Sequence, residues 1–171
     1  CYAEAGSGGT VESDSMQTTV KGCSFDGSYS NKGSANGGAL NILHNDAWQS
    51  KTRYPNSSLT VIGTTFEDCQ TQQSGSSGGA ICDQNSVNVK IIDCDFVNCS
   101  SDNGGAVRVN QNGVTDVTVE TLGSRFENCT ARNMGGAVRA QTKTMTISDT
   151  YTDDNGASHK YDARFKNCSA P

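Results

Sequence analysis

One repeated motif constrains this chain more than any other feature. All five phenylalanines of the 171-residue sequence lie in it, and in four repeats Cys follows the Phe by three positions. The phenylalanines are 41, 30, 30 and 39 residues apart, so the basic period is about thirty residues with two insertions. A period of this length is typical of solenoid proteins. The five are Phe25, Phe66, Phe96, Phe126 and Phe165.

A second motif follows each of the first four phenylalanines. It consists of Gly-Gly-Ala and an aliphatic residue, and its first Gly lies 8 to 12 residues after the Phe. Between this block and the next Phe, apolar residues alternate with polar ones, as in Val87–Ile91, which is typical of a β-strand. A Gly pair permits a tight corner between strands. The four blocks begin at Gly37, Gly78, Gly104 and Gly135.

Each period therefore predicts three short strands and no helix. Such a unit cannot bury its apolar face alone, but a stack of equivalent units can. We predict a single all-β domain over residues 1–171, a parallel β-helix of about five coils with the Phe rings in one internal column. Insertions are predicted near residues 49–58 and 150–161. The hydrophobic content of 33% is low for a globular domain and suits a thin core shared between coils.

The alternation of the two motifs resembles the repeats of the polymorphic outer membrane proteins, the chlamydial adhesins. The resemblance covers about residues 22–171 and rests on the Phe-x-x-Asn-like and Gly-Gly-Ala-aliphatic motifs. It implies a right-handed parallel β-helix and, by analogy, a surface role in adhesion and self-association. Where that family has Asn three residues after the Phe, this chain has Cys69, Cys99, Cys129 and Cys168.

Eight cysteines in so polar a chain indicate an oxidising, extracytoplasmic compartment. Residues stacked in neighbouring coils lie ~4.8 Å apart, which suits a disulfide. We predict bridges between coils, for example Cys69–Cys99 and Cys129–Cys168, with a column of free buried thiols as the alternative. A zinc site is not favoured, because no His lies near a close pair of cysteines. The eight are Cys1, Cys23, Cys69, Cys82, Cys94, Cys99, Cys129 and Cys168.

Four Asn residues lie in N-x-S/T sequons, and three of them follow a Phe by two positions. If the Phe points inward, these three Asn project outward as a row of N-linked glycans. The alternative is an inward ladder of Asn amides that bond from coil to coil. The four are Asn56, Asn98, Asn128 and Asn167.

No catalytic site, metal site or cofactor is predicted. The densest acidic cluster, Asp153-Asp154-Asn155-Gly156, resembles part of a calcium loop but lacks the closing Glu, and we interpret it as a turn. His44 and His159 fall outside the repeat positions. Arg108 and Arg139 follow equivalent Gly blocks and are predicted to face solvent.

The remaining features indicate which binding partners this chain could have. Trp48 and Tyr54 in the first insertion either cover the flank of the core or stack on a sugar. An ice-binding face is not favoured, because Thr118 and Thr146 do not belong to a continuous column of threonines. A net charge of −5 without a basic stripe argues against nucleic acid. No apolar run approaches the ~20 residues of a membrane-spanning helix.

The two ends of the sequence suggest self-assembly. Phe165–Pro171 is half a repeat, and the missing Gly block is matched by Gly8–Val11. Either copies of the chain stack head to tail into an open filament, or the chain is a section of a longer protein. We therefore expect a non-enzymatic structural protein at the cell surface or outside the cell. An adhesin-type module that binds carbohydrate or protein is the second expectation, and a polysaccharide-degrading enzyme is a distant third.

Overall fold

Parallel strands build nearly the whole structure, a computed structural model that describes residues 2–3, 9–31, 35–43, 56–109, 116–153, 155–160 and 162–171. These residues contain 22 strands and no helix. The strands are β1 (Tyr2–Ala3), β2 (Val11–Ser13), β3 (Gln17–Lys21), β4 (Ser24–Asp26), β5 (Tyr29–Ser30), β6 (Leu40–Ile42), β7 (Ser58–Ile62), β8 (Thr65–Glu67), β9 (Gln70–Thr71), β10 (Ile81–Asp83), β11 (Asn88–Ile92), β12 (Asp95–Val97), β13 (Ser100–Asn103), β14 (Val107–Val109), β15 (Thr118–Leu122), β16 (Arg125–Glu127), β17 (Thr130–Met134), β18 (Val138–Ala140), β19 (Thr144–Ser148), β20 (Thr150–Thr152), β21 (Ser158–Lys160) and β22 (Arg164–Lys166).

Twenty of these strands form four five-stranded parallel sheets, which the chain visits in a fixed order five times. We call them sheet A (β1, β5, β9, β13, β17), sheet B (β2, β6, β10, β14, β18), sheet C (β3, β7, β11, β15, β19) and sheet D (β4, β8, β12, β16, β22). One passage through sheets A to D is one coil. The predicted all-β fold, a parallel β-helix of about five coils, is confirmed.

The prediction of three strands per coil is wrong, because each coil has four. The three predicted strands correspond to sheets B, C and D. From the second coil on, the strands of sheet A follow the residue three positions after each Phe. They are mostly polar, and some are very short, for example β9 with only Gln70–Thr71. Such strands show no apolar alternation, so the pattern that identified the other three sheets could not identify this one.

The second predicted insertion forms a β-hairpin. It joins sheet C to sheet D in the fifth coil, and β20 pairs antiparallel with β21, with Tyr151 opposite His159. Most of the first predicted insertion, near residues 49–58, lies outside the described residues.

The five Phe rings form one continuous stack along the axis of the helix. Adjacent ring centroids are 5.1, 4.8, 4.7 and 4.7 Å apart, and adjacent ring planes differ by no more than 5°. The stack follows directly from strand register, since Phe96 of β12 pairs with Phe66 of β8 on one side and Phe126 of β16 on the other. These three middle rings are fully buried. The ring spacing equals the spacing of paired strands, so each coil adds one ring to the core.

The two residues of each Gly pair have different structural roles. The first has a positive φ, 62° at Gly78 and 67° at Gly104, which turns the chain into sheet B. The second is required by the neighbouring coil. A Cβ on Gly105 would lie 2.0 Å from the carbonyl oxygen of Gly136. The same contact recurs from coil to coil at Gly9, Gly38 and Gly79.

We therefore expect Gly105→Ala to abolish cooperative folding or to lower the free energy of unfolding by ~4 kcal/mol or more, because backbone cannot move aside without separating two coils. Gly63→Ala is the matched control. Gly63 has a positive φ, 54°, which Gly105 does not, but no atom lies within 4 Å of its would-be Cβ, and the third coil has Asp93 at the equivalent position. Gly63→Ala should lower the free energy of unfolding by only about 1–2 kcal/mol. Urea unfolding measures the free energy of unfolding of both variants. Equal losses of stability would contradict the close approach of Gly105 to the carbonyl oxygen of Gly136.

The carboxyl group of Asp83 is buried in the core. Asp83 occupies the inward position at the end of β10 that Ile42 and Val109 occupy in the neighbouring coils, and it is fully buried. It accepts hydrogen bonds from the backbone N–H of Ser86, at 2.9 Å, and from the Ser86 hydroxyl. Burial raises its pKa to about 6, and the bonds from Ser86 oppose this rise.

Because the folded protein binds this proton more tightly than the unfolded chain, Asp83 favours folding below about pH 4, and this contribution is lost as the pH rises through about 6. Asp83→Asn keeps an acceptor for Ser86 and cannot ionise. Relative to the natural chain, it should gain about 3 kcal/mol of stability between pH 4 and pH 7 in urea unfolding. Asp68→Asn, on the exposed surface, is the control, and an identical pH dependence in both variants would contradict the assignment.

Candidate functional site

The sequon asparagines of the Phe motifs form an exposed ladder on the outside of the helix. Asn98, Asn128 and Asn167 have φ between 54° and 55°, at the turn between sheets D and A. The Nδ2 of Asn128 donates to the Oδ1 of Asn98 at 3.1 Å, and the Nδ2 of Asn167 donates to the Oδ1 of Asn128 at 3.2 Å. The alternative of an inward ladder is therefore wrong, while a ladder of amide bonds does exist on the outer surface. Asn56 is exposed too, apart from this ladder.

The cysteine prediction requires correction. Neither predicted bridge, Cys69–Cys99 or Cys129–Cys168, is formed, because all four of these cysteines are free thiols. The remaining described cysteines are Cys23, Cys82 and Cys94, and Cys1 lies outside the described residues.

Each thiol of the Phe motifs instead bonds to backbone. The Sγ of Cys99 donates to the carbonyl of Val97 at 3.5 Å and to that of Phe66, one coil before, at 3.6 Å. Cys69, Cys129 and Cys168 repeat this arrangement. Hydrogen bonds with the thiols of Cys129 and Cys69, together with burial, hold the pKa of Cys99 well above its usual value. This is the column of buried thiols that the sequence left open as the alternative.

A second column explains why cysteine suits this fold. Cys94 has Thr64 and Ser124 as its equivalents in the neighbouring coils, and all three side chains donate to the carbonyl two residues before, at 3.0 to 3.3 Å. Burial raises the pKa of Cys94 to about 12. Thiol and hydroxyl are thus interchangeable small donors here.

The two arginines after the Gly blocks are paired neighbours in sheet B, but the prediction that they face solvent is wrong for Arg108. Arg108 is 3% exposed, and its Nη2 donates to Gln141 at 2.6 Å. Burial and the charge of Arg139 lower its pKa. Arg139 is half-buried and donates to Asn103.

The acidic cluster is a turn, as predicted, over its described residues. The Oδ1 of Asp153 accepts the N–H groups of Asn155 and Ala157, both at 2.9 Å. Its Oδ2 lies 3.0 Å from the Nε2 of His159. These contacts, first the bond with His159, lower the pKa of Asp153. Asp154, His44, Trp48 and Tyr54 lie outside the described residues.

No group of His, Cys, Asp and Glu side chains that would hold a metal ion occurs within the described ranges. The same part of the chain contains no helix long and apolar enough to cross a bilayer.

The terminal coils carry the exposed apolar surface. Of the described residues, only six large hydrophobic side chains are exposed, by 38 to 53%, and all belong to the first or the fifth coil. They are Val11, Met16, Met134, Met145, Ile147 and Phe165. Within the described part of the chain, the outer edges of the terminal strands have no partner strand across most of both ends, and such edges are templates for further pairing.

Charges of opposite sign lie at equivalent positions of the two ends. In sheet B, one column runs from Glu12 in the first coil to Arg139 in the fifth. In sheet D, another runs from Asp26 to Lys166. Within the helix such columns already pair charges one coil apart, as in Lys166 with Glu127 at 2.6 Å. Sequence reasoning missed this complementarity because it appears only once the register is known.

A lateral groove lies on the outer face of sheet C. It has a volume of about 340 Å³ between strands β7 and β11 and the hairpin. Its floor includes Thr60, Asn88 and Lys90, and Tyr151 of the hairpin forms part of its wall.

Comparison with known protein families, with curated proteins and with solved structures finds no match to this chain. The parallel β-helix therefore stands on the strand pairing described above.

Proposed function

We propose that this chain is a non-enzymatic, extracellular structural protein whose copies stack head to tail into a surface filament or appendage. The resemblance of its motifs to the repeats of the polymorphic outer membrane proteins belongs to this proposal. Since the described cysteines are thiols, disulfide bracing is no part of it. One observation carries the proposal: the complementary register, charge and apolar surface of the first and the fifth coil.

Continuing the register by one coil would place a second copy in a defined position. Its β2 would pair with β18, its β3 with β19 and its β4 with β22. Phe25 of that copy would then follow Phe165 in the ring stack, and its Val20 would cover Ile147. Two of the four large exposed apolar side chains of the fifth coil, Phe165 and Ile147, would thereby be buried, which favours association.

The same register pairs the end charges. Glu12 of the second copy would meet Arg139, and its Asp26 would meet Lys166. Ion pairs at a partly exposed interface add little affinity, but they fix register and orientation. The contact therefore has a direction, because a contact between two first coils or between two fifth coils would bring like charges together.

Sheet A requires one adjustment. Ser169 already pairs with Thr130, and its carbonyl accepts the N–H of Ala131 at 3.0 Å. This is the position that Tyr2 holds beside Tyr29 in the first coil. Ser169 would therefore replace the two-residue strand β1 of the second copy in sheet A. The coil at the contact would then consist of residues from both copies.

We expect the purified chain to form rods of constant width whose length grows with protein concentration, because a heterologous contact does not close on itself. Light scattering and electron micrographs measure this. A chain that stays monomeric at millimolar concentration and low salt would contradict the proposal.

Charge reversal tests the register. Glu12→Arg with Asp26→Lys should block assembly, and adding Arg139→Glu with Lys166→Glu should restore it, because both pairs are then inverted. Lys21→Glu is the matched control, since Lys21 lies on the same edge but would meet the uncharged Ser148. Failure of the fourfold variant to assemble while the control still does would contradict this register.

The Asn ladder supports a glycosylated surface. Each amide has two N–H groups and the ladder uses one, so a glycan on Nδ2 is compatible with the bonds between coils. We expect a secreted eukaryotic preparation to carry N-glycans at Asn98, Asn128 and Asn167, located by enzymatic release and mass spectrometry. Ser100→Ala, which removes only the sequon of Asn98, should abolish the modification at Asn98 alone. Unmodified Asn at all three positions would contradict this part of the proposal.

A further inference from the structure

The groove on sheet C is the feature that the assembly does not use. It lies on the side of the helix, over the second and third coils, away from both ends. Strands β7 and β11 under it are each paired on both sides, so their backbone N–H and C=O groups are already bonded. A peptide strand therefore finds no free sheet edge here. Recognition must come from side chains.

The floor of the groove is mixed in character. Polar side chains stand in two outward columns that include Ser58, Thr60 and Asn88, and a third column places Ile62 and Ile92 beside them. Strand pairing holds these groups at the fixed spacing of the coils. Hydroxyl and amide groups next to apolar surface match a sugar ring, which presents hydroxyls at its rim and C–H groups on its faces.

Charge in the groove selects against ionic ligands. The one cation of its lining, Lys90, pairs with Glu120 of the next coil at 3.3 Å. The described lining thus carries no uncompensated charge, and a neutral ligand costs the least desolvation.

The hairpin supplies an aromatic wall that is held in place from behind. Tyr151 pairs across the hairpin with His159, and their ring centroids are 6.1 Å apart with planes inclined by 22°. His159 is in turn bonded to Asp153, which fixes the turn of the hairpin. The wall is thereby pre-organised, which reduces the entropy lost on binding.

From these contacts we infer that the groove binds a neutral oligosaccharide, with Tyr151 stacked on a sugar ring and Thr60, Asn88 and Lys90 bonded to its hydroxyls. This inference does not rest on the proposed assembly, because none of the residues named above for the contact between copies lines the groove.

Titration of the ¹⁵N-labelled chain with cellobiose, maltose, mannobiose and diacetylchitobiose tests it. The assembly-blocked variant with Glu12→Arg and Asp26→Lys is used if the natural chain polymerises. At least one of these disaccharides should saturate and shift the amide signals of Thr60, Lys90 and Tyr151. If none binds, or if only sulfated or carboxylated saccharides bind, the inference is overturned.

Variants then locate the site. Tyr151→Ala should weaken binding about tenfold, whereas Tyr151→Phe should bind as the natural chain does. Thr60→Val keeps the shape and strand propensity of the residue and removes only the hydroxyl, so it tests the floor even if Tyr151→Ala disturbs the hairpin. Thr146→Ala, on the same sheet but outside the groove, is the control. Unchanged affinity in both Tyr151→Ala and Thr60→Val would overturn the assignment.

Discussion

Exact register between parallel strands is the constraint on which the rest of this structure depends. Each coil repeats the one below it at the spacing of paired strands, so nearly every strand residue of the inner coils has an equivalent directly above and below, with one shift of register between Ser101 and Asn103. The five Phe rings, 4.7 to 5.1 Å apart, are the clearest result. A ring in any other register would meet a gap or an outward position. The stack and the strand pairing therefore stabilise each other, and a chain with only 33% hydrophobic residues can still form a continuous core.

Register also determines which residue types are tolerated in each column. The second Gly of every pair faces a carbonyl of the next coil, so no side chain fits there. In the column of Cys94, two thiols and two hydroxyls make equivalent bonds, so either group fits. The sequence alone cannot separate such a donor column from a disulfide framework, because both place cysteines at equal spacing. What separates them is the direction of each Sγ, which points to backbone carbonyls.

Much of the fold could be predicted because the apolar and glycine residues that define it recur with the period of the coil. Phe96 and Gly105 are required by packing, and residues required by packing recur at equivalent positions of each repeat. Sheet A has no such recurring pattern, because strands such as Gln70–Thr71 are held by neighbouring backbone rather than by apolar side chains. The burial of Arg108 and the groove beside Tyr151 were missed for a related reason. Both depend on residues far apart in the sequence that only the winding brings together.

Removal of one whole coil tests the winding most directly. Thr118 pairs with Asn88, so deletion of residues 88–117 takes out one full period and joins the chain in register. We predict a four-coil protein that keeps its strand signal in circular dichroism and unfolds cooperatively. Deletion of residues 88–102, half a period, should leave an unfolded or aggregated chain, because inward and outward residues then fall out of register. If the two deletions are equally tolerated or equally disruptive, the chain does not wind as described.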